Sequence, residues 1–268
     1  MPLAAVRRLT ATTALILVSL SALAGCSVTT GAEPRTAASA SATEAEERPL
    51  ALVYNGPQGC DDCAPTIASV LRKAKRPFRV LYVGPGTGRE LNAAILKEAT
   101  LYVQPGGGSD LEATWNDLEP AADDLRAWVE AGGSYLGLCF GAYLAGSNPG
   151  LGLLPGDTFG WAGSEGATVP DDRDTVIPVI WRTRERHLYF QDGPGFTLKE
   201  TADATVLATY PNGVPAALVA KYGKGRVGVS GPHPEATRTW YENADLENPD
   251  GYQLDLAYDL ITATVGKR

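Results

Sequence analysis

The stretch 132–146, GGSYLGLCFGAYLAG, constrains the fold more than any other part of the chain. Tyr135, Leu136 and Leu138 form a short apolar run that predicts a buried strand, and residues 142–145 predict the start of a helix. Cys139 stands at the join, with Gly137 two residues before it and Gly141 two after. Glycines on both sides permit the sharp strand-to-helix turn that exposes a nucleophile above a sheet. The free N–H groups and the dipole of a helix's first turn favour a thiolate at that point. A free cysteine is often no more than a small buried hydrophobe. The flanking glycines and the strand-to-helix position make Cys139 the candidate nucleophile instead.

The rest of the folded part is periodic around this turn. Short apolar runs at 49–54, 78–83 and 100–103 predict strands. Between them, Ile67, Val70 and Leu71 mark a helix over 64–75, a second covers 91–97, and Leu118, Leu125 and Val129 mark a third over 116–130. Strands alternating with helices predict an α/β fold: a flavodoxin-like open, mostly parallel sheet with helices on both faces. Beyond Gly152 the texture changes to a β-rich C-terminal half. Short runs at 175–181, 187–190, 204–210, 216–221 and 226–230 are separated by Gly, Pro and Asp. Residues 222–225 suit a hairpin turn, and 252–265 predict a closing helix. No internal repeat is present, and 49–268 is expected to form one domain.

Residues 1–26 read as an export signal, with Arg7 and Arg8 ahead of a short apolar segment that closes on Leu23-Ala24-Gly25-Cys26. That tetrapeptide looks like a bacterial lipobox, in which Cys26 is lipidated and becomes the new N-terminus; the alternative is a simple secretory cleavage site with a passenger cysteine. Two or more acyl chains give a stable anchor where one does not. The expected location is therefore the extracytoplasmic face of the cell membrane, with the membrane as partner through the lipid. Residues 27–48, rich in Ala, Thr, Ser and Glu, are too polar to pack and predict a linker spanning about 25 Å. The formal net charge of −8 argues against nucleic acid or an anionic membrane surface as the main ligand. With only two histidines, His187 and His233, and no zinc-type cluster, no metal is expected, and no cofactor either.

Two further segments carry chemistry. The glycine-rich loop 103–109 follows directly on a strand, where ligands gather in open α/β sheets. Its glycines let backbone N–H groups approach a developing oxyanion, so Gly106 and Gly107, with Phe140 after the cysteine, are the candidate oxyanion-binding positions. His233 and Glu235 follow the strand at 226–230. Residues i and i+2 of an extended segment face one side, so Glu235 can hold the imidazole that serves Cys139. His187, in a β-like run beside Tyr189 and Phe190, reads as structural. Cys60-Asp61-Asp62-Cys63 sits between a strand and a helix, as a thioredoxin-type motif does. The two aspartates oppose thiolate formation, and an exported setting favours a small structural disulfide between Cys60 and Cys63; a redox pair and free thiols are the alternatives. If Cys26 is lipidated and these two pair, Cys139 is the odd thiol.

Gly137-Leu138-Cys139-Phe140-Gly141, the glycine-rich loop and His233-Pro234-Glu235 together resemble the class I glutamine amidotransferase-like superfamily. Within it, residues 102–108, 138–143 and 189–193 are similar to the N-terminal domain of biotin–protein ligases, which also occurs alone in bacteria. The resemblance covers most of 50–240 and implies a flavodoxin-like sheet with a Cys139-His233-Glu235 triad. Two departures limit what it lends: no synthase domain or ammonia acceptor is attached, and no Gly-Arg-Gly-type adenylation motif is present, so biotin ligation is not implied. The leading expectation is a membrane-tethered thiol hydrolase or amidase acting on a small-molecule or envelope-derived substrate. Its rivals are a non-catalytic binding module on the same fold and a thiol-redox protein using Cys60 and Cys63.

Overall fold

The computed structural model describes residues 47–108 and 110–266. The leader with Cys26, the linker up to residue 46 and the end of the glycine-rich loop lie outside the described residues. Among the described residues no helix is long and apolar enough to cross a membrane.

Among the described residues, eleven strands and seven α-helices follow in chain order: β1 (Leu50–Tyr54), α1 (Cys63–Lys73), β2 (Arg79–Val83), α2 (Ala93–Glu98), β3 (Leu101–Gln104), α3 (Leu111–Leu118), α4 (Ala122–Ala131), β4 (Ser134–Leu138) and α5 (Phe140–Leu144). Then come β5 (Gly156–Gly160), β6 (Thr175–Trp181), β7 (Arg184–Phe190), β8 (Pro194–Leu198), β9 (Ala204–Thr209), β10 (Pro215–Tyr222), β11 (Gly225–Ser230), α6 (Arg238–Asn243) and α7 (Asp255–Val265). Nine strands form one sheet in the order β2-β1-β3-β4-β11-β10-β9-β6-β7. Its first five strands run parallel, and the remaining four extend it antiparallel. Apart from β5 and β8, the strands of the C-terminal half thus continue the same sheet.

The parallel strands read as unbroken apolar runs because both of their faces are covered. In β1, Ala51 and Val53 pack with Ile67, Val70 and Leu71 of α1 and with Leu256, Leu260 and Ile261 of α7. Leu50, Leu52 and Tyr54 point the other way, toward Leu96 of α2, Leu118 of α3, and Leu125 and Val129 of α4. Burying side chains of this size contributes about 1.5–3 kcal/mol each, so a one-residue register slip in β1 would cost more than any local turn preference.

Two details depart from the periodicity. The helical region after β3 starts five residues before 116: the Asp110 carboxylate accepts the Ala113 N–H at 2.8 Å and caps α3. It is also not continuous, because Pro120 lies in a 3-10 turn (Glu119–Ala121) between α3 and α4. Proline has no N–H for the helical ladder, and α3 buries only Thr114 and Leu118, too few to leave an apolar period. The second departure is β5 with β8, a separate antiparallel pair built from GDTFG and PGFTL. Glycine- and proline-rich segments almost 40 residues apart carry no local strand signal.

Strand order turns at β1, since the chain passes to β2 on one side and to β3 on the other. The loops after β1, β3, β4 and β11 all leave the carboxyl ends of parallel strands, where ligands bind in this kind of sheet. Gly59 of the first loop bridges Gly107 of the second, and the Gly108 N–H donates to the Gln58 carbonyl at 2.9 Å.

Candidate active site

Cys139 occupies the turn between β4 and α5 with φ 50° and ψ −106°, a backbone conformation that side chains other than glycine rarely adopt. The turn is held from both sides. The Cys139 N–H donates to the Ser230 carbonyl of β11 at 2.9 Å, and the Cys139 carbonyl accepts from Ala142 at 2.8 Å and Tyr143 at 3.0 Å. Its glycines are there for close approach. A Cβ on Gly137 would strike the Gly141 carbonyl, and one on Gly141 would strike the Gln104 carbonyl at the end of β3. The helix that follows spans only Phe140–Leu144, and Phe140 is its first residue, where backbone N–H groups lack intrahelical partners.

His233 lies beyond β11 on an isolated bridge to Tyr189 of β7, its N–H donating to the Tyr189 carbonyl at 2.9 Å. Its ring is 4% exposed, and Nδ1 sits 2.8 Å from Oε1 of Glu235, itself 1% exposed. With Nδ1 engaged by Glu235, Nε2 is left for the sulfur, and His233 and Cys139 line one cavity. The thiol also reaches the Gln191 carbonyl at 3.5 Å. Burial works to lower the basicity of His233. The charge of Glu235, its hydrogen bond to the ring and the neighbouring Cys139 side chain outweigh it and raise the imidazole from 6.5 to about 10. The second carboxylate oxygen of Glu235 is buried and has no partner among the described residues.

The glycine-rich loop reaches the same place. A Cβ on Gly106 would lie 3.0 Å from Cys63 Sγ, 3.2 Å from His233 Cε1 and 3.9 Å from Cys139 Cβ, so Gly106 is the point where the pieces meet. Gly107 lies against the Phe140 ring, which fills the space of any side chain there. Gly107 thus lines the same cavity as Cys139, and Gly106 lies beside the Cys139 Cβ. His187 is elsewhere in role: it pairs with Asp250, Nδ1 to Oδ1 at 3.5 Å, and its N–H donates to the other Asp250 oxygen at 2.6 Å.

Cys60 and Cys63 are disulfide-bonded, with Cα atoms 5.4 Å apart, and Cys139 is a free, buried cysteine. Asp62 brings a carboxylate within 4.8 Å of both sulfurs, but the bond between them occupies the pair. The disulfide is not remote from Cys139. Cys60, Cys63, Cys139, His233 and Gly107 line one cavity of about 230 Å³. Its remaining walls come from Asp62, Asp174, Tyr189, Gln191, Trp240, Asn243 and Ala244. Sequence reasoning missed Asp174, Trp240 and Asn243. The one usable signal was the tyrosine-aromatic run of β7, because only tertiary folding brings α6 and the segment before β6 to this end of the sheet.

Residues 50–149 match the family profile described as "Biotin-protein ligase, N terminal". Among solved structures, the chain is similar to a glutamine amidotransferase (20% identity, 73% of this chain and 99% of the other, TM-score 0.52). It is also similar to a glutamine amidotransferase from Thermotoga maritima (14% identity, 82% and 100%, TM-score 0.56). A third, from Methylobacillus flagellatus, gives 16% identity, 80% and 82% coverage and a TM-score of 0.50. At these identities the likeness is one of fold. No curated protein sequence matches the chain.

Proposed function

We propose, from the match of residues 50–149 to the biotin–protein ligase N-terminal profile and from a fold similar to that of glutamine amidotransferases, that this chain is a cysteine amidase or thiol hydrolase. The fold fits a cysteine-based hydrolytic function at that coarse level. One observation carries the finer reading: a buried His233–Glu235 pair set against a free cysteine on a strained turn, at the floor of a cavity. The Cys139 thiolate attacks the amide carbon, and N–H groups around Gly107 and Phe140 receive the oxyanion. As the C–N bond breaks, the His233 imidazolium gives its proton to the leaving amine. Water then attacks the thioester, His233 takes its proton, and the acid leaves with the thiolate–imidazolium pair restored. Glu235 holds the ring by Nδ1 and stabilises its charge.

The test is alkylation of Cys139 by iodoacetamide at pH 6.5, read by intact mass. The expected rate is well above that of free cysteine, with a strong drop in His233→Ala. A rate equal to free cysteine and indifferent to that substitution refutes the triad and leaves the fold to a binding role. The anchoring at Cys26, motivated by the tetrapeptide 23–26, belongs to the same proposal and places the activity at the extracytoplasmic membrane face. Cys26→Ser is expected to release the protein from the membrane fraction or block its maturation. Unchanged fractionation refutes the anchor.

A further inference from the structure

The formal net charge of −8 is unevenly spread over the fold. Register sets Leu50, Arg79, Leu101, Ser134 and Arg226 in one row at the amino ends of the parallel strands, opposite the end whose loops surround Cys139. The carboxyl-end loops carry exposed Asp61, Asp62, Asp110 and Asp192. The amino end carries exposed Arg48 ahead of β1, and Arg72, Lys73, Lys75 and Arg76 where α1 runs out before β2. Glu47, Glu98 and Glu130 stand exposed at the same end. Even so, among the described residues no carboxylate forms an ion pair with Arg48, Arg72, Lys73 or Lys75. Cations elsewhere are matched: Arg126 with Asp123, Arg182 with Asp259, Arg186 with Asp255 and Lys221 with Asp203. Like charges gathered without partners repel one another, and an anionic surface relieves that repulsion.

An apolar cleft lies among these basic groups. Phe78, Ile261 and Val265 line about 470 Å³ together with Lys75 and Arg76. Apolar side chains beside ammonium and guanidinium groups suit a molecule that is both anionic and hydrophobic, such as a phospholipid at a bilayer surface. A nucleic acid or another soluble polyanion would pair the charges and leave the apolar lining unused. The cleft is also where the chain enters the fold, since Glu47 and Pro49 line it and Leu50 opens β1. The linker read at 27–48 therefore joins the domain at its basic end.

We propose that this amino-end face docks on an anionic phospholipid surface, with Arg48, Arg72, Lys73, Lys75 and Arg76 against the headgroups. Docked so, the domain turns its carboxyl-end loops and the Cys139 cavity away from the bilayer. For its reach to a membrane the docking rests on the anchoring at Cys26, and it adds an orientation that a tether alone does not impose.

The experiment uses the full chain in bilayer discs of phosphatidylcholine alone, or with phosphatidylglycerol as one lipid in three. Lysines are methylated with formaldehyde and an amine–borane, both uncharged, and each rate is read by peptide mass. On the anionic discs Lys73 and Lys75 are expected to react about tenfold more slowly than on the neutral ones. Cys139 is alkylated by iodoacetamide at the same rate on both. The lysine protection fades in 0.5 M salt. It fades also in Arg48→Gln/Arg72→Gln, which removes two groups each worth about fivefold at such a surface. Equal lysine rates on both discs, with the protein bound to each, overturn the docking and leave the anchor and the amidase standing. Protein that stays off both discs overturns the docking and the anchor together. Protection that salt and the substitutions leave intact overturns the basic face as its cause. Protection by heparin on neutral discs, with none from anionic lipid, assigns the face to a soluble polyanion and overturns the proposal as well.

Discussion

Replacing Glu235 by glutamine removes a charge from the buried pair while keeping the atom that accepts the Nδ1 proton. The two side chains are 4% and 2% exposed and 2.8 Å apart, so solvent screens them little. Taking the charge centres as about 4 Å apart in an effective dielectric of about 20, the attraction is about 4 kcal/mol, or about three pH units of imidazole basicity. In the parent, His233 is expected to keep its proton through neutrality and lose it near pH 10. In Glu235→Gln that titration moves down by about three units. The chain has two histidines, so long-range proton–nitrogen NMR over pH 5–11 follows both, and His187→Gln assigns them. Cys139→Ser, measured in parallel, removes the sulfur's share and leaves that of Glu235. The sign of the stability effect follows: the folded value lies above the unfolded 6.5, so the pair's stabilisation is complete below pH 6.5 and drains as pH rises through about 10. Urea midpoints should fall across that window in the parent and stay flat in the variant. A parent His233 that titrates near 6.5, or one that Glu235→Gln does not move, would falsify the electrostatic account of the site.

Gly141→Ala places a Cβ against the Gln104 carbonyl, backbone that has no room to yield. The expected loss is about 3 kcal/mol, the upper end for overpacking, and a midpoint shift under 1 kcal/mol in chemical denaturation would show that the turn relaxes. For Cys60 and Cys63, peptide mapping without reductant should recover them linked, with Cys139 alkylatable. A disulfide that includes Cys139 contradicts both the pairing and the nucleophile. The double variant Cys60→Ser/Cys63→Ser should lose about 2 kcal/mol, the loop-entropy value for so short a loop, and no loss at all would mean the bond is idle in the native protein.

The chemistry of the turn was legible because its constraints are local. Tyr135, Leu136 and Leu138 are apolar in succession since the strand is covered on both faces, and Gly137 and Gly141 are glycine since carbonyls of Gly141 and Gln104 occupy their Cβ positions. His233 and Glu235 were readable as a pair because i and i+2 share a side in extended backbone. The parallel sheet itself followed from strands and helices alternating at short spacing. Helix ends were less legible: the start of α3 depends on one cap, Asp110, and its end on Pro120, neither of which leaves an apolar period.

What tertiary structure alone decided is the company Cys139 keeps. The 60–63 disulfide reads in sequence as a separate motif, yet the Gly59–Gly107 bridge carries it to the wall of the cavity. Asp174 precedes an antiparallel strand and Trp240 belongs to a six-residue helix, and both arrive only because β7 reaches His233 through Tyr189. Sequence patterns report the spacing of neighbours along one element, whereas these contacts join loops separated by scores of residues. Their pairing is set by sheet order and leaves no periodic trace in the residues themselves.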